Sequence, residues 1–194
     1  MGHSRAEKSD SRERILRVAG RRFRERGLEG LGIAELMDEA GLTHGGFYRH
    51  FASRDDLVTH ALGTALAANL SRLSKVAERS SKDPLHAMID RYLDASHRDA
   101  PGDGCTIASL SADVARAGEA TRTAYTGYVE RFIELVAASI PDGSPKTKRM
   151  YAIGTLSAMV GALTLSRAVN DEKLADEFLK FTSHALKEWH ADSA

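Results

Sequence analysis

Features that restrict fold or function are scarce in this sequence. Its 194 residues include one cysteine, which excludes an internal disulfide framework and a cysteine-rich zinc site. Four prolines leave most of the chain free to form long helices. Lys and Arg together number 27, as do Asp and Glu, so the net charge of zero by itself indicates no partner of either sign. A chain of this length can bury a core without a disulfide or a metal.

Motifs for membrane insertion, export and catalysis are also missing. The longest apolar region, residues 152–165, is interrupted by Gly154, Ser157 and Gly161 and falls short of the ~20 residues that span a bilayer. No apolar segment of a secretory signal follows the N-terminus. Glycine-rich phosphate loops, His-Glu-x-x-His and Gly-x-Ser-x-Gly are absent, and the eight histidines lack metal-ligand spacing. We expect a cytoplasmic protein with no membrane contact, catalytic residue, metal or cofactor.

Apolar residues recur at helical spacing along the chain, and no segment alternates as a strand does. This predicts an all-α fold with a disordered arm at residues 1–10, a helix-turn-helix domain at 11–52 and a helical body at 53–194. Gly27 and Gly41 are expected to end helices, and Ser53 and Asp83 to begin them. Residues 98–104 are predicted to form a loop. The predicted helices are at about 12–26, 33–40, 44–51, 53–79, 84–97, 105–116, 119–139, 145–168 and 171–190.

Residues 33–51 have the spacing of a helix-turn-helix motif, whose second helix enters the DNA major groove. Here that helix contains adjacent glycines, Gly45 and Gly46, which cost roughly 1 kcal/mol each relative to alanine. Close approach to a nucleic acid explains such a cost. Phe47 and Phe51 lie four residues apart and are expected to face the core. The outward positions then carry hydrogen-bond donors: Tyr48, Arg49 and His50.

The first helix is strongly basic. Two acidic residues, Glu13 and Glu25, stand among seven arginines between residues 12 and 26. Such a surface suits a polyanion. A solvated helix face is the alternative reading, but next to a helix-turn-helix motif the charge favours DNA. The arginines are Arg12, Arg14, Arg17, Arg21, Arg22, Arg24 and Arg26.

The run GLTHGGFYRHFASRDDL at residues 41–57 resembles the DNA-binding signature of TetR-type transcriptional regulators. With the preceding helices, the resemblance covers residues 11–58. The rest of the chain is similar only in length and in its all-helical layout. Gly46 departs from the signature, in which Thr, Ala or Ser is common, and this removes one base contact.

The resemblance implies an N-terminal three-helix DNA-binding head and a C-terminal helical body for ligand binding and dimerisation. It implies a repressor released from its operator by a small-molecule or thiol-reactive signal. Two heads would bind a near-palindromic operator in double-stranded DNA, and the homodimer would form through residues of about 145–190. The small residues Gly154, Ala158, Gly161, Ala162 and Ala168 would permit close helix packing there, and ordinary packing within one chain is the alternative. The implied DNA-binding residues are Thr43, His44, Gly45, Tyr48, Arg49, His50 and Arg54.

The resemblance also implies a ligand cavity among the helices of the body, for an effector that the sequence does not identify. Apolar and phenolic side chains are the usual lining of small-molecule sites. Ordinary core packing is the alternative for each of them. The candidate lining residues are Leu66, Met88, Tyr92, Ile107, Leu110, Tyr125, Tyr128, Phe132 and Met159.

Cys105 is a further candidate. It follows Asp103-Gly104 and is expected at a helix N-terminus, where the helix dipole lowers a thiol pKa. His97 and Arg98 would add positive charge. The position resembles that of cysteines with which some TetR-type regulators sense electrophiles or oxidants. The alternative is a small packed side chain.

A function of another class stays open at this level. A helical small-molecule binding or interaction module would keep the helix-turn-helix without using it on DNA. The double glycine permits this reading, as do the acidic side chains of Glu35, Asp38 and Glu39 near the motif. An all-helical enzyme would need catalytic residues that the sequence does not contain.

Overall fold

A computed structural model describes residues 5–80 and 82–191, and throughout these residues the regular structure is helical. Two short 3-10 helices, His44–Arg49 and Pro101–Asp103, accompany the α-helices. We call His44–Arg49 the recognition segment. The α-helices are α1 (Arg5–Arg26), α2 (Ile33–Glu39), α3 (Arg54–Arg79), α4 (Pro84–Tyr92), α5 (Ala95–Asp99), α6 (Thr106–Val114), α7 (Glu119–Ala138), α8 (Pro145–Ala168) and α9 (Glu172–Ala191).

The head is built by α1, α2 and the recognition segment around one apolar core. Helix α1 packs against α2 and against α3, and α2 packs against the recognition segment. Each contributes side chains that are almost completely removed from water, so burial of apolar surface fixes the position of the recognition segment. The core side chains of the head include Ile15, Ala19, Phe23, Leu36, Met37, Phe47, Phe51 and Leu57.

The predicted helix ends are confirmed. Gly27 and Gly41 have φ angles of 80° and 68°, in the left-handed region that glycine adopts without a steric penalty. At the start of α3 the Ser53 hydroxyl accepts a hydrogen bond from the Asp56 amide at 3.1 Å. The Asp56 carboxylate accepts a hydrogen bond in return from the amide of Ala52, the residue before the cap, at 2.9 Å.

Three sequence-based expectations are wrong in part. Helix α1 begins at Arg5, so residues 5–10 are helical rather than disordered; residues 1–4 lie outside the described residues. The helix expected at 84–97 is divided after Tyr92, because the Asp94 carboxylate accepts from the Ser96 amide at 2.9 Å and starts α5. The recognition segment is a 3-10 helix rather than an α-helix.

The body surrounds the C-terminal part of α3. This helix has 26 residues and extends from the recognition segment into the body, where it packs against α4, α6 and α7. Helix α7 also packs against α8, and α8 packs against α9. Helix α3 therefore belongs to both the head and the body. No helix within residues 5–80 and 82–191 is long and apolar enough to cross a membrane.

Candidate functional site

The recognition segment has one buried and one exposed face. Phe47 and Phe51 are buried, with ring centroids 5.6 Å apart, as their spacing predicted. Tyr48 is 68% exposed, and its ring lies edge-on to Phe47. The expected DNA-contacting residues on the exposed face are Thr43, His44, Gly45, Tyr48 and Arg49.

The two glycines of this segment are not required by packing inside the chain. A Cβ atom at Gly45 would have no neighbour within 4 Å, and one at Gly46 would lie 3.5 Å from the Met37 methyl group, an ordinary contact. Neither residue has a positive φ. The surface at Gly45 is therefore open for a close approach from outside.

His50 lies between the recognition segment and α1, and it is less exposed than expected. Its Nδ1 is buried and has no hydrogen-bond partner in the described part of the chain. Burial lowers the pKa of His50, and the positive charges of Lys8, Arg12 and Arg49 lower it further. Arg12 itself lies over the Phe51 ring, 5.0 Å from the centroid. This concentration of positive charge suits an anionic group such as a DNA phosphate.

Arg54 does not have the predicted geometry of a phosphate contact. Its guanidinium donates hydrogen bonds to the carbonyl oxygens of Leu28 at 2.6 Å and Leu31 at 2.7 Å. These bonds join the loop between α1 and α2 to the first turn of α3. The side chain has a structural role that sequence matching alone does not reveal.

The basic face of α1 is smaller than its seven arginines suggested. Arg22 bonds to Glu39 at 2.8 Å, and Arg26 bonds to Glu35 at 2.6 Å. These pairs join α1 to α2. They also neutralise two of the acidic residues whose charge had favoured the alternative function, in which the motif does not bind DNA. The positive charge near the recognition segment comes instead from the N-terminal half of α1 and from Arg49.

A second candidate site is a cavity of about 100 Å³ in the body. It lies between α3, α4, α7 and residues 97–105, which we call the bridge segment. Three of the predicted ligand-binding residues line it: Tyr92, Cys105 and Phe132. The remaining lining residues are Asn69, Arg72, Leu73, Val76, Arg91, His97, Asp103 and Gly104.

The other predicted ligand-binding residues do not line this cavity. Tyr125 contacts the Ser111 hydroxyl through its own hydroxyl group. The rest are core side chains, because an apolar helical stripe indicates which face turns inward but not where packing leaves space. These core residues are Leu66, Met88, Ile107, Leu110, Tyr128 and Met159.

Asn69 is a lining residue that the sequence analysis missed. It interrupts the apolar stripe of α3, where Leu66 and Leu73 flank it, and a polar side chain in such a stripe must find partners. The Asn69 amide group donates to the Gly104 carbonyl at 3.0 Å and accepts from the Thr106 amide at 3.0 Å. It thereby holds the start of α6 against α3.

His97 is uncharged in this site, which contradicts its expected role as a cation beside Cys105. Its Nε2 accepts a hydrogen bond from the Cys105 amide at 2.8 Å, so the proton is on Nδ1, which donates to the Tyr92 carbonyl at 2.6 Å. Burial lowers the pKa of His97 to about 4. Arg98 also gives no charge to the thiol, since it pairs with Asp99 and Asp176.

Three arginines hold the bridge segment by its carbonyl oxygens. Arg24 of α1 bonds to Gly102 at 2.8 Å, and Arg72 of α3 bonds to Asp103 at 2.8 Å. Arg167 of α8 bonds to the carbonyl of His97 at 2.6 Å and to that of Arg98 at 3.0 Å. The cavity wall is therefore tied directly to the first helix of the head.

Residues 15–61 match the family model described as bacterial regulatory proteins, tetR family. Residues 15–61 therefore form a DNA-binding head of the TetR type. Among curated relatives, the HTH-type transcriptional repressor NemR of Escherichia coli K12 is 27% identical over 137 residues, which is 69% of each chain. The HTH-type transcriptional repressor DhaR of Mycobacterium sp. GP1 is 21% identical over 182 residues, covering 90% of this chain and 91% of DhaR.

Solved structures share the fold of the whole chain. Reduced E. coli NemR superposes with a TM-score of 0.78 at 21% identity, covering 92% of this chain and 96% of NemR. A TetR-family regulator from Agrobacterium tumefaciens gives a TM-score of 0.76 at 18% identity, with 93% and 98% coverage. The chain is thus a DNA-binding transcriptional regulator and not an enzyme, with a helix-turn-helix head on a helical body.

Two substitutions in the recognition segment test its orientation. Arg49→Gln should weaken binding to all duplexes and lower the slope of log affinity against log salt by about 1, because one phosphate contact is lost. Tyr48→Phe should weaken binding roughly tenfold without changing the slope, because it removes an uncharged donor. Fluorescence anisotropy with a labelled duplex measures both. Arg122→Gln, an exposed substitution on α7, is the control, and two unaffected variants would mean that this face does not meet DNA.

The buried neutral state of His97 predicts a pH dependence of stability. The folded chain binds this proton only near pH 4, whereas the unfolded chain binds it near pH 6.5. Stability should therefore fall as the pH drops through this window, by about 3 kcal/mol in total from this residue. Urea unfolding at a series of pH values should give a flatter profile for His97→Gln than for the native chain. The exposed control His184→Gln should retain the native slope; identical profiles for all three proteins would rule out the assignment.

Proposed function

We propose that this chain is a homodimeric repressor that leaves its operator when a small molecule occupies the cavity beside Cys105. The observation that carries the proposal is that one helix belongs to both sites. The first turn of α3 fixes the head through Arg54, while Asn69, Arg72 and Leu73 of the same helix line the cavity. A ligand that displaces the C-terminal half of α3 therefore acts on the position of the recognition segment.

The bridge segment supplies a second connection. Asp103, Gly104 and Cys105 line the cavity, and the neighbouring carbonyl of Gly102 accepts from Arg24 in α1. A movement of this wall would pull on the head by a route separate from α3. Release requires that the ligand bind more tightly to the displaced state than to the DNA-competent one, since a ligand with equal affinity for both shifts nothing.

A second copy of the chain is the proposed partner of α8 and α9. Large apolar side chains remain exposed on these two helices, at spacings that keep them on common faces, and exposed apolar patches commonly mark protein interfaces. Gly161 also has open space around it, whereas Gly154 packs against Trp189 of its own chain. The exposed apolar residues are Met150, Ile153, Leu165, Leu174, Phe181 and Trp189.

In such a dimer the two recognition segments must reach successive major grooves, about 34–36 Å apart. Thr43 and His44 at the start of each segment would meet base edges, and the open surface at Gly45 would permit a close approach to the backbone. Chromosomal binding requires a cytoplasmic location. The names of NemR and DhaR, both transcriptional repressors, support repression as the direction of control.

A thiol-reactive signal is a second form of the effector. It is favoured by the position of Cys105, the single cysteine of the chain, in the cavity wall. The side chain is buried, so a reagent must enter the cavity to reach it. An adduct there would act as a ligand that cannot dissociate.

Selection of bound duplexes from a random library, at two salt concentrations, tests the DNA-binding half of the proposal. The expected product is a near-palindrome with half-sites one helical turn apart, bound less tightly at the higher salt. Enrichment of single half-sites would contradict the dimer. Sequence-independent binding in the presence and absence of candidate effectors would contradict a specific operator.

Complete modification of Cys105 by N-ethylmaleimide tests the coupling. The adduct fills space between α3 and the bridge segment that the proposed effector would occupy, so operator affinity should fall at least about tenfold. Anisotropy with the selected operator measures the loss, and mass spectrometry verifies the modification. Treated Cys105→Ala should bind as the untreated protein does. Native operator affinity after full modification would mean that this cavity does not control the head.

A further inference from the structure

We propose that the ligand of the cavity is a small organic acid, whose anionic group lies at the mouth between Arg72 and Arg91. This inference rests on the proposed effector site and adds the chemical class of the effector. It follows from the charges around the cavity, from the state of its buried polar groups and from its apolar floor.

The mouth of the cavity carries more positive than negative charge. Arg72 and Arg91 are both exposed there, and Asp103 is the one carboxylate in the lining. Arg72 donates to the Asp103 carbonyl oxygen at 2.8 Å rather than to its carboxylate. Within residues 5–80 and 82–191, no group accepts a hydrogen bond from the Arg91 guanidinium. Its donors are therefore free for a ligand.

Two further guanidinium groups behind the wall add to this field. Arg24 and Arg167 are half-buried, and their hydrogen bonds go to carbonyl oxygens and, for Arg167, also to the Ser109 hydroxyl. Neither lies within ion-pair distance of a carboxylate in the described part of the chain. The pKa of both arginines is lowered, because the cost of burying the positive charge exceeds the attraction of Asp103 and Glu25 for Arg24 and of Asp99 for Arg167. An anion in the cavity would relieve that cost.

The polar groups inside the cavity supply no negative charge. His97 is neutral, and after burial the largest causes of its lowered pKa include the positive charges of Arg167, Arg91 and Arg72. Burial raises the pKa of Tyr92, so its hydroxyl keeps its proton. That hydroxyl is buried beside the Cys105 thiol and has no oxygen or nitrogen acceptor in the described residues, so it can donate to a ligand oxygen.

The rest of the lining is apolar. Leu73, Val76 and Phe132 form a surface that suits a short hydrocarbon or an aromatic ring. A cation would be repelled by Arg72 and Arg91 at the mouth, and an uncharged ligand would leave the Arg91 guanidinium without an anionic partner. A small acid with an apolar body matches both the charged mouth and this floor.

The single thiol of the chain gives a probe of this field that needs no knowledge of the natural ligand. Iodoacetate and iodoacetamide alkylate a thiolate with loss of the same iodide ion and are similar in size, but only iodoacetate is negatively charged. We take the rate of alkylation of Cys105 by iodoacetate divided by the rate with iodoacetamide. This ratio in the folded protein, divided by the same ratio in the urea-unfolded chain, measures the preference of the cavity for a negative charge. Mass spectrometry measures both rates.

We expect the folded protein to favour iodoacetate over the unfolded reference by roughly tenfold, as expected for a charge near unpaired guanidinium groups. Arg91→Gln should lower this preference and Asp103→Asn should raise it. Arg122→Gln removes the same charge from the exposed surface of α7 and should leave the preference unchanged.

Three outcomes would overturn the inference. The first is a ratio of iodoacetate to iodoacetamide rates that is no higher in the folded protein than in the unfolded chain. The second is an equal change of this ratio in Arg91→Gln and Arg122→Gln. The third is that neither reagent reacts with the folded chain. Operator affinity of each alkylated product separates this inference from the proposed function. If both adducts release the operator but the folded protein shows no preference for iodoacetate, the cavity is the regulatory site but its ligand is not an acid. If the folded protein clearly prefers iodoacetate but neither adduct releases the operator, the cavity binds an acid but does not control DNA binding.

Discussion

The arginine–carbonyl bonds of the bridge segment are the interaction on which the two halves of this protein depend. Residues 97–105 contain little apolar surface of their own, and hydrogen bonds from three helices hold their backbone. A carbonyl oxygen has no net charge, so each bond satisfies a donor without neutralising the guanidinium. The same bonds therefore do two things. They fix the cavity wall to the head through Arg24, and they leave a positive field at the cavity.

The structure of the head depends on buried apolar side chains and on polar pairs between its helices. Burial of Phe47 and Phe51 fixes the recognition segment, and this burial turns Tyr48 and Arg49 outward. Polar pairs such as Arg22–Glu39 then set how α1 and α2 meet. The residues proposed to contact DNA make few bonds within the chain, so their geometry follows from the apolar residues between them. Substitution of an inward-facing residue would alter DNA binding by moving the recognition segment. Substitution of an outward-facing residue would alter it by removing a contact with DNA.

Much of the fold, and which face of the recognition segment is exposed, could be predicted from the sequence. Glycines at 27 and 41 and the Ser53 cap act locally, so their effect on the chain is readable from neighbouring residues alone. The break between α4 and α5 at Asp94 was not predicted, because the apolar residues keep their helical spacing across it. Arg54 matched a DNA-binding signature, yet the loop carbonyls that it contacts are more than twenty residues away.

By itself the sequence determined an all-helical chain, the position of the helix-turn-helix motif and which face of the recognition segment is exposed. These follow from short-range rules: helical periodicity, capping and the burial of apolar side chains. Only the tertiary structure decided which residues surround a cavity, because a void is the space that packing between distant helices fails to fill. It also decided that His97 is neutral, since a pKa depends on burial and on hydrogen bonds formed across the fold.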